Sequence, residues 1–455
     1  MTAGMASGPR GAEDAGLRSH RGRKGRHTWV NWAGNVVARP SEIADPRDEA
    51  ELAALVARAA SRGETVRVAG SGHSFTPAVE TTGVIARIGA LSGIRSIDHS
   101  RRVVTVGAGT TLADLNVLLE AEGLAMPNLG DIAYQTVAGA ISTSTHGTGR
   151  SLGGLATRVR AVRVVSGRGE VIDVDESKSP HLLGPLAVSV GALGALTEVT
   201  LEVVPAFRLH AREEPMRLDA VLESVHELAD ANDHFEFFWV PHTGWALTKR
   251  NNRTDEPLDP LPPFRAWFDK TLMENHAFGM LCRLGRLRPS LIPRLATALP
   301  SSGRREYVET SWKVFASERL VRFYEMEYAI PAEVLPSVMR DVRSMVERNG
   351  HLLNFPVEVR FTAPDDLPLS TAHGRPTAYV AVHIFKGMSY QSYFADVEAI
   401  MAAHGGRPHW GKIHSRTAAD LRGLYPRWDD FMSARDELDP GRTFANDYTR
   451  RIFGS

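Results

Sequence analysis

A chain of 455 residues is longer than one hydrophobic core usually serves, so two domains with a cleft between them is the expected organisation. Its 53 basic and 53 acidic residues cancel, which argues against wholesale binding to nucleic acid and favours a small-molecule substrate. A single cysteine, Cys282, excludes an internal disulfide and any cysteine-built zinc or iron–sulfur site, and points to a reducing, cytoplasmic compartment.

Residues 1–27 are rich in Gly, Ser, Ala and Arg and end in the basic cluster Arg21, Arg23, Lys24 and Arg26, without the apolar stretch of a signal peptide. They read as a disordered basic tail; an arm that touches anionic partners is the alternative. Ordered sequence begins at Trp29. A helix is expected after Asp45 as cap and Pro46 in the first turn, with Leu52, Leu55, Val56, Ala59 and Ala60 on one face and Gly63 at its end. A strand over 65–69 then feeds the glycine-rich GSGHSF of 70–75. A second unit repeats the theme, with a strand over 103–106 and a helix over 112–122 whose apolar stripe is Leu112, Leu115, Leu118 and Leu119. A third glycine-rich stretch covers 139–149, and strands follow over 159–165 and 196–203. The apolar run 182–197 is shorter than the roughly 20 residues of a membrane span and contains Pro185, so it reads as buried core. From Phe207 the texture changes to aromatic strands (235–240, 379–385), long helices (332–349, 390–404) and a proline-rich connection (257–263), the pattern of a separate α+β domain.

In GSGHSF the glycines let backbone amides approach an anion, and a strand feeding the loop gives the nest geometry used for pyrophosphate. The fragment fits neither GxGxxG nor the P-loop spacing, and a tight turn holding a satisfied histidine accounts for it equally well. The stretch from Met126 to Gly149 is more telling, because Gly139, Ala140, Ser142, Thr143, Ser144 and Thr145 crowd around His146 and Gly147. So many small hydroxylic residues bring backbone close to a flat ligand, whereas an ordinary turn needs one or two. Along the strand at 357–361, Val357, Val359 and Phe361 face one way and Glu358 and Arg360 the other. Two opposite charges therefore share one surface, either as an exposed ion pair or as site groups. No metal site is expected: the 17 histidines include no HExxH pair, and His409 and His414 read as local hydrogen-bonding groups.

The loop GSGHS, the segments PNLGD, QTVAGAI and THGTG, and VGALGALTEVTLEV (190–203) together resemble the FAD domain of the vanillyl-alcohol oxidase family. FPVEVRF (355–361), RPHWGK (407–412) and LDPGRTFANDYTRRIFG (438–454) are similar to its aldonolactone oxidase branch, which includes L-gulono-1,4-lactone oxidases and dehydrogenases. The resemblance covers nearly the whole chain from Trp29. It implies an α+β fold: a two-subdomain, PCMH-type FAD-binding domain over 28–205, a cap with a large mostly antiparallel sheet over 206–405, and a C-terminal segment, 406–455, completing the flavin site.

Carried over residue by residue, the resemblance makes His73 the histidine bonded covalently to the flavin, with Gly70, Ser71, Gly72 and Ser74 along the pyrophosphate. Asp131, Thr136, Gly139, Ser142, Thr143 and Thr145 fall at FAD-binding positions, and Leu196 at the adenine contact, although Asp131 departs from the smaller polar residue of some relatives. Glu358 and Arg360 become substrate groups. Lys412 would place positive charge near flavin N1, where negative charge collects when hydride reaches N5; taken alone it is a surface lysine. His383 faces the substrate or is a packed sheet histidine. Gly130 leaves room beside the flavin for oxygen, which favours an oxidase, with another acceptor as the alternative. The implied activity is oxidation of an L-gulono- or D-arabinono-1,4-lactone by hydride transfer to flavin. The rivals are an alditol oxidase of the same fold, a flavin-binding protein without turnover, and nucleic-acid binding through the tail. No integral membrane segment is expected, and the sequence carries no signal of oligomeric state.

Overall fold

The computed structural model describes residues 27–298, 304–317 and 319–454. The expectations for the N-terminal tail lie outside these residues, save for His27.

Besides two short two-stranded ribbons, the first half builds two larger sheets. A parallel three-stranded sheet has the order Glu42–Ala44, Val84–Arg87, Val66–Ala69. An antiparallel five-stranded sheet has the order Val171–Asp175, Val159–Val165, Ala195–Glu202, Val103–Gly107, Ile94–Asp98. The first helix, Glu49–Ser61, buries Leu52, Leu55, Val56 and Ala59 of the predicted face, while Ala60 at its margin is half-buried. Its cap is Asp48 and not Asp45, because the Asp48 carboxylate accepts from the Glu51 amide at 2.9 Å and so satisfies a free N–H of the first turn. Asp45 is instead engaged by the Arg87 guanidinium. In the second helix, Leu112–Ala121, the stripe is Leu112, Leu115 and Leu119. Leu118 is 37% exposed, and Asn116 takes the fourth buried place. The run at 182–197 is core, with Leu182, Leu186, Val188, Leu193 and Leu196 all in the main apolar cluster.

The cap is built on one eight-stranded sheet in which every pairing is antiparallel. Its central strands are His234–Trp239, Val357–Thr362, Thr377–Phe385 and Phe323–Pro331. The helices Leu218–Asp230, Leu335–Asn349 and Gln391–Ala403 contribute to a second apolar cluster together with Phe235, Phe237, Val357, Val359 and Phe361. Alternation then sends Glu236, Glu358 and Arg360 to the opposite side of the sheet. Arg407–Pro408 adds a short edge strand to the cap, while Trp410, Tyr425, Phe431, Phe444 and Phe453 of the same C-terminal stretch pack into the first half's core. Buried Arg67 pins that stretch, donating to the carbonyls of Ala78 (2.6 Å), Gly191 (2.8 Å) and Phe444.

Candidate functional site

Two glycine-rich stretches meet in the first half. A Cβ on Gly70 would lie 2.3 Å from Thr136 Oγ1, so the loop approaches the second stretch only because position 70 has no side chain. Thr136 caps the short helix Val137–Ser142, accepting from the Gly139 amide at 3.2 Å. Thr143 Oγ1 donates to the Gly139 carbonyl at 3.0 Å and lies 3.5 Å from Thr145 Oγ1, while Ser142 accepts from Ser189 at 3.3 Å. Ser144, between them, holds a left-handed φ of 62°, an unusual backbone state for a non-glycine residue that is common where structure is shaped for a ligand. Leu196, by contrast, sits inside the five-stranded sheet opposite Val164, with 4% exposure.

His73 follows Gly72, whose φ of 69° turns the loop. Its ring lies 5.5 Å from Trp32 and 6.4 Å from Tyr134, both roughly parallel to it. Burial, reinforced by nearby Lys412, pushes its pKa down to about 4, so the ring is neutral at physiological pH. Its Nδ1 is buried without a hydrogen-bond partner among the described residues. A buried orphan nitrogen is costly unless something satisfies it, and a flavin bonded there would do so. Together with a cradle from which side chains are excluded, this donor set fits FAD.

The second wall comes from the cap. Arg360 Nε donates to Glu236 at 2.8 Å, and its Nη2 lies 2.5 Å from Glu358 and 3.6 Å from Asp131. Asp131 also accepts from Arg319 at 2.6 Å. Lys412 pairs with Glu325 and lies 3.8 Å from Glu327, and His383 Nε2 is 3.4 Å from Glu325. One pocket is lined by Asp131, Glu325, Glu358, Arg360, His383 and Lys412, with Phe323 and Tyr379 as apolar walls. Backbone bonds join the segments: Phe75 N to Gly411 O at 2.7 Å, Ile413 N to Glu325 O at 2.9 Å, and Gly149 N to Phe361 O at 2.8 Å. The first of these also ties the loop carrying His73 to the one carrying Lys412. All four sequence-predicted catalytic residues therefore share one pocket. Asp131 stands with them at the Arg360 cluster.

Burial raises the carboxyl pKa values and lowers those of the cations, and the neighbours decide the outcome. At Glu358 burial dominates over the attraction of Arg360, with Asp131 and Glu236 adding repulsion, and its pKa rises to about 7. At Asp131 burial is outweighed by Arg360 and Arg319, which hold the group well below the usual carboxylate range. Burial loses likewise at Glu325, to Lys412 and His383, and at Lys412, to Glu325 and Glu327, so the first is lowered and the second raised. His383 is raised because Glu325 outweighs its burial. Glu358 is thus the pocket carboxyl poised to exchange a proton near neutrality.

Sequence analysis missed Glu236, Glu325, Glu327 and Arg319. The first three carry a recognisable signal: each is an acid in a strand whose alternate residues are core aromatics or aliphatics, as in HFEFFW and FYEMEYAIP. Arg319 lies outside the regular elements and carries none. Also unforeseen is the grouping of His146, Glu327 and His409, whose ligand atoms lie within 4.8 Å of one another. His146 Nε2 is 2.6 Å from Glu327, and His409 Nδ1 accepts from the Gly411 amide at 3.1 Å. Three distant stretches supply them, so no local spacing could reveal the set.

Comparison with known proteins places these features. The family described as D-arabinono-1,4-lactone oxidase matches residues 199–452, and that described as FAD binding domain matches residues 40–175. The chain is 44% identical to an L-gulono-1,4-lactone dehydrogenase of Mycobacterium tuberculosis over 94% of its own length and 99% of the relative's. It is 31% identical to an L-gulonolactone oxidase of Scyliorhinus torazame, covering 94% and 98% of the two chains, and 31% identical to an alditol oxidase of a Streptomyces species, covering 93% and 98%. Among solved structures, cholesterol oxidase from Brevibacterium sterolicum shares the fold, with a TM-score of 0.78 at 18% identity over 94% of this chain and 97% of that one.

Proposed function

We propose, from the premise that the chain belongs to the D-arabinono-1,4-lactone oxidase family, a division of labour among its residues in FAD-dependent oxidation of an L-gulono- or D-arabinono-1,4-lactone. FAD, when bound, supplies the ring that takes up hydride. Residues 28–205 hold it, 206–405 form the cap over the substrate, and 406–455 complete the pocket. The division is supported by the two large apolar clusters, one to each half.

The observation that carries the reading is the Glu358–Arg360 pair beside Lys412 and one loop from His73. Arg360, locked by Glu236 through Nε, presents its outer nitrogens to the lactone oxygens and fixes the ring's orientation. Glu358, with a pKa of about 7, takes the proton of the reacting hydroxyl. Lys412, kept charged by Glu325 and Glu327, stabilises the negative charge that develops opposite. His383, held by Glu325, is a further donor to the substrate. Gly70, Ser71, Gly72 and Ser74 take the pyrophosphate, Thr136, Gly139, Ser142, Thr143 and Thr145 the remaining polar edges, and Leu196 the adenine side. Electrons leave to oxygen, which Gly130 admits, or to another acceptor. No described helix is long and apolar enough to cross a membrane. We assign the protein to the cytoplasm.

Anaerobic addition of L-gulono-1,4-lactone should bleach the yellow of the flavin-loaded protein. Bleaching by xylitol and by no lactone would overturn the substrate class, and bleaching by neither would overturn turnover itself. Acid precipitation tests the covalent bond: colour should stay with the pellet and leave it in His73→Ala. Colour in the wild-type supernatant would remove the bond and leave FAD binding intact.

A further inference from the structure

Outside the pocket, the cap displays an unusual concentration of exposed apolar side chains on the helical stretch Pro263–Ala266, Trp267–Ala277 and Phe278–Leu287. Phe264 is 75% exposed, Trp267 51% and Phe268 40%, and their rings lie within 6.4 Å of Phe264. On Phe278–Leu287 the buried face is Gly279, Cys282 and Gly285, while Met280, Leu284 and Leu287 form an outward stripe at helical spacing, with Leu287 74% exposed. Scattered exposed apolar residues need no explanation, but six large ones on one helical stretch do.

The charges in this stretch are mostly positive. Residues 263–298 carry six Arg or Lys and two acidic residues in a chain that is neutral overall. Next to the stripe, a cavity of about 500 Å³ is lined by Arg283, Arg286, Arg322 and Lys386 over a floor of Tyr324 and Phe385. None of these four cations pairs with a carboxylate among the described residues. The Arg286 guanidinium lies 5.4 Å from the Phe385 ring centroid, and Lys386 is lowered in pKa by burial and by repulsion from Arg322. Other cap cations, such as Arg250 with Glu214 and Arg343 with Asp219, do have acidic partners.

We propose that this helical face is a peripheral docking element for an anionic lipid bilayer: Phe264, Trp267, Met280, Leu284 and Leu287 enter the headgroup region, and the four-cation cavity receives a lipid phosphate. An apolar stripe with aromatic members, flanked by unpaired arginines and too short to span, is the composition that lies in a membrane interface. A protein partner would bring acids to this cavity as well, but exposed Trp and Phe beside a basic cavity are the combination that anchors in an anionic headgroup layer. The cavity floor belongs to the ends of the strands Phe323–Pro331 and Thr377–Phe385, and the cavity shares no lining residue with the lactone pocket, so docking leaves that pocket's residues untouched.

The test is flotation of the full-length, flavin-loaded protein with vesicles of phosphatidylcholine alone and of equal parts phosphatidylcholine and phosphatidylglycerol. The protein should float with the anionic vesicles only, and raised salt should release most of it. Trp267→Ser combined with Leu287→Ser, and separately Arg283→Glu combined with Arg286→Glu, should each lower partitioning by roughly tenfold or more, with lactone turnover in free solution unchanged. Both variants retain the basic cluster Arg21 to Arg26, so undiminished flotation would assign binding elsewhere and overturn the proposal. Absence of wild-type flotation would overturn it too, as would a dimer that the Trp267→Ser, Leu287→Ser variant dissociates without any loss of flotation.

Discussion

On the cradle side of the site, Thr136, Ser142 and Thr143 use their hydroxyls on partners a few residues to some tens of residues away, and glycines at 70 and 147 remove the side chains that would block close approach. On the cap wall, Glu236, Glu325, Glu358, Arg360 and Lys412 come from three strands and a C-terminal loop; the first four are charged groups buried from water and Lys412 is largely so. The first wall is held by neutral bonds made mostly within its own segments, so damage there stays local. The second is a set of mutually dependent charges, in which removing one partner leaves several unbalanced. Substitutions that exchange those behaviours would break the contrast.

The largest effect is expected at Arg360. Arg360→Met removes the shared partner of Glu236, Glu358 and Asp131, and stranding buried carboxylates costs about 3–5 kcal/mol when one member of a buried pair is deleted. Denaturant unfolding of the variant should show that loss, and lactone turnover should vanish. Arg360→Lys restores one charge but not the fork that reaches Glu236 and Glu358 together, so stability should recover more than turnover does. Next comes Lys412→Met, for which loss of a preorganised charge should slow lactone-driven bleaching on the order of 100-fold or more, with flavin content unchanged.

Glu358 gives a smaller effect with a definite sign. Its pKa in the folded protein, about 7, lies above the ordinary 4.5. Between these values the folded state keeps a proton that the unfolded state has released, so stability falls as pH climbs through that window. Turnover runs the other way, rising through about pH 7 as the carboxylate forms. In Glu358→Gln both limbs should disappear: unfolding at about pH 5 and about pH 8 should differ less than in the wild type, and residual activity should lose its acid limb. A wild-type activity profile flat across pH 7 would remove Glu358 as the proton acceptor.

What could be read without a structure follows the same divide. The cradle was legible because its chemistry is local: GSGHSF and the THGTG stretch carry their glycines and hydroxyls in consecutive positions. Glu358 and Arg360 were legible as a pair because strand alternation fixes their common side. Glu236 and Glu325 were not, since only the pairings of His234–Trp239 with Val357–Thr362, and of Phe323–Pro331 with Thr377–Phe385, bring them to the pocket. The resemblance assigned Asp131 to the cofactor; its ion pairs with Arg319 and Arg360, made by residues far along the chain, carried no local signal. The first helix's cap was misplaced by three residues for a simpler reason: Asp45 and Asp48 are equally good caps by type, and the ion pair of Arg87 with Asp45 decides between them.

The smallest effect belongs to the cradle, and it asks whether that wall is as self-contained as its bonds imply. Thr136→Ala deletes the oxygen that caps Val137–Ser142 at Gly139, which should lower stability by about 1 kcal/mol. It also opens space beside Gly70, whose missing Cβ would stand 2.3 Å from that oxygen. Thr136→Ser restores the cap oxygen without the methyl and should recover most of the stability. If the two walls are energetically separate, Thr136→Ala combined with Lys412→Met should lose the sum of the single losses in unfolding free energy, within the few tenths of a kcal/mol usual for independent sites. A coupling well beyond that would mean the loop carrying His73, tied to the Lys412 loop through Phe75 N and Gly411 O, transmits between them. The cradle would then be part of the charged network after all.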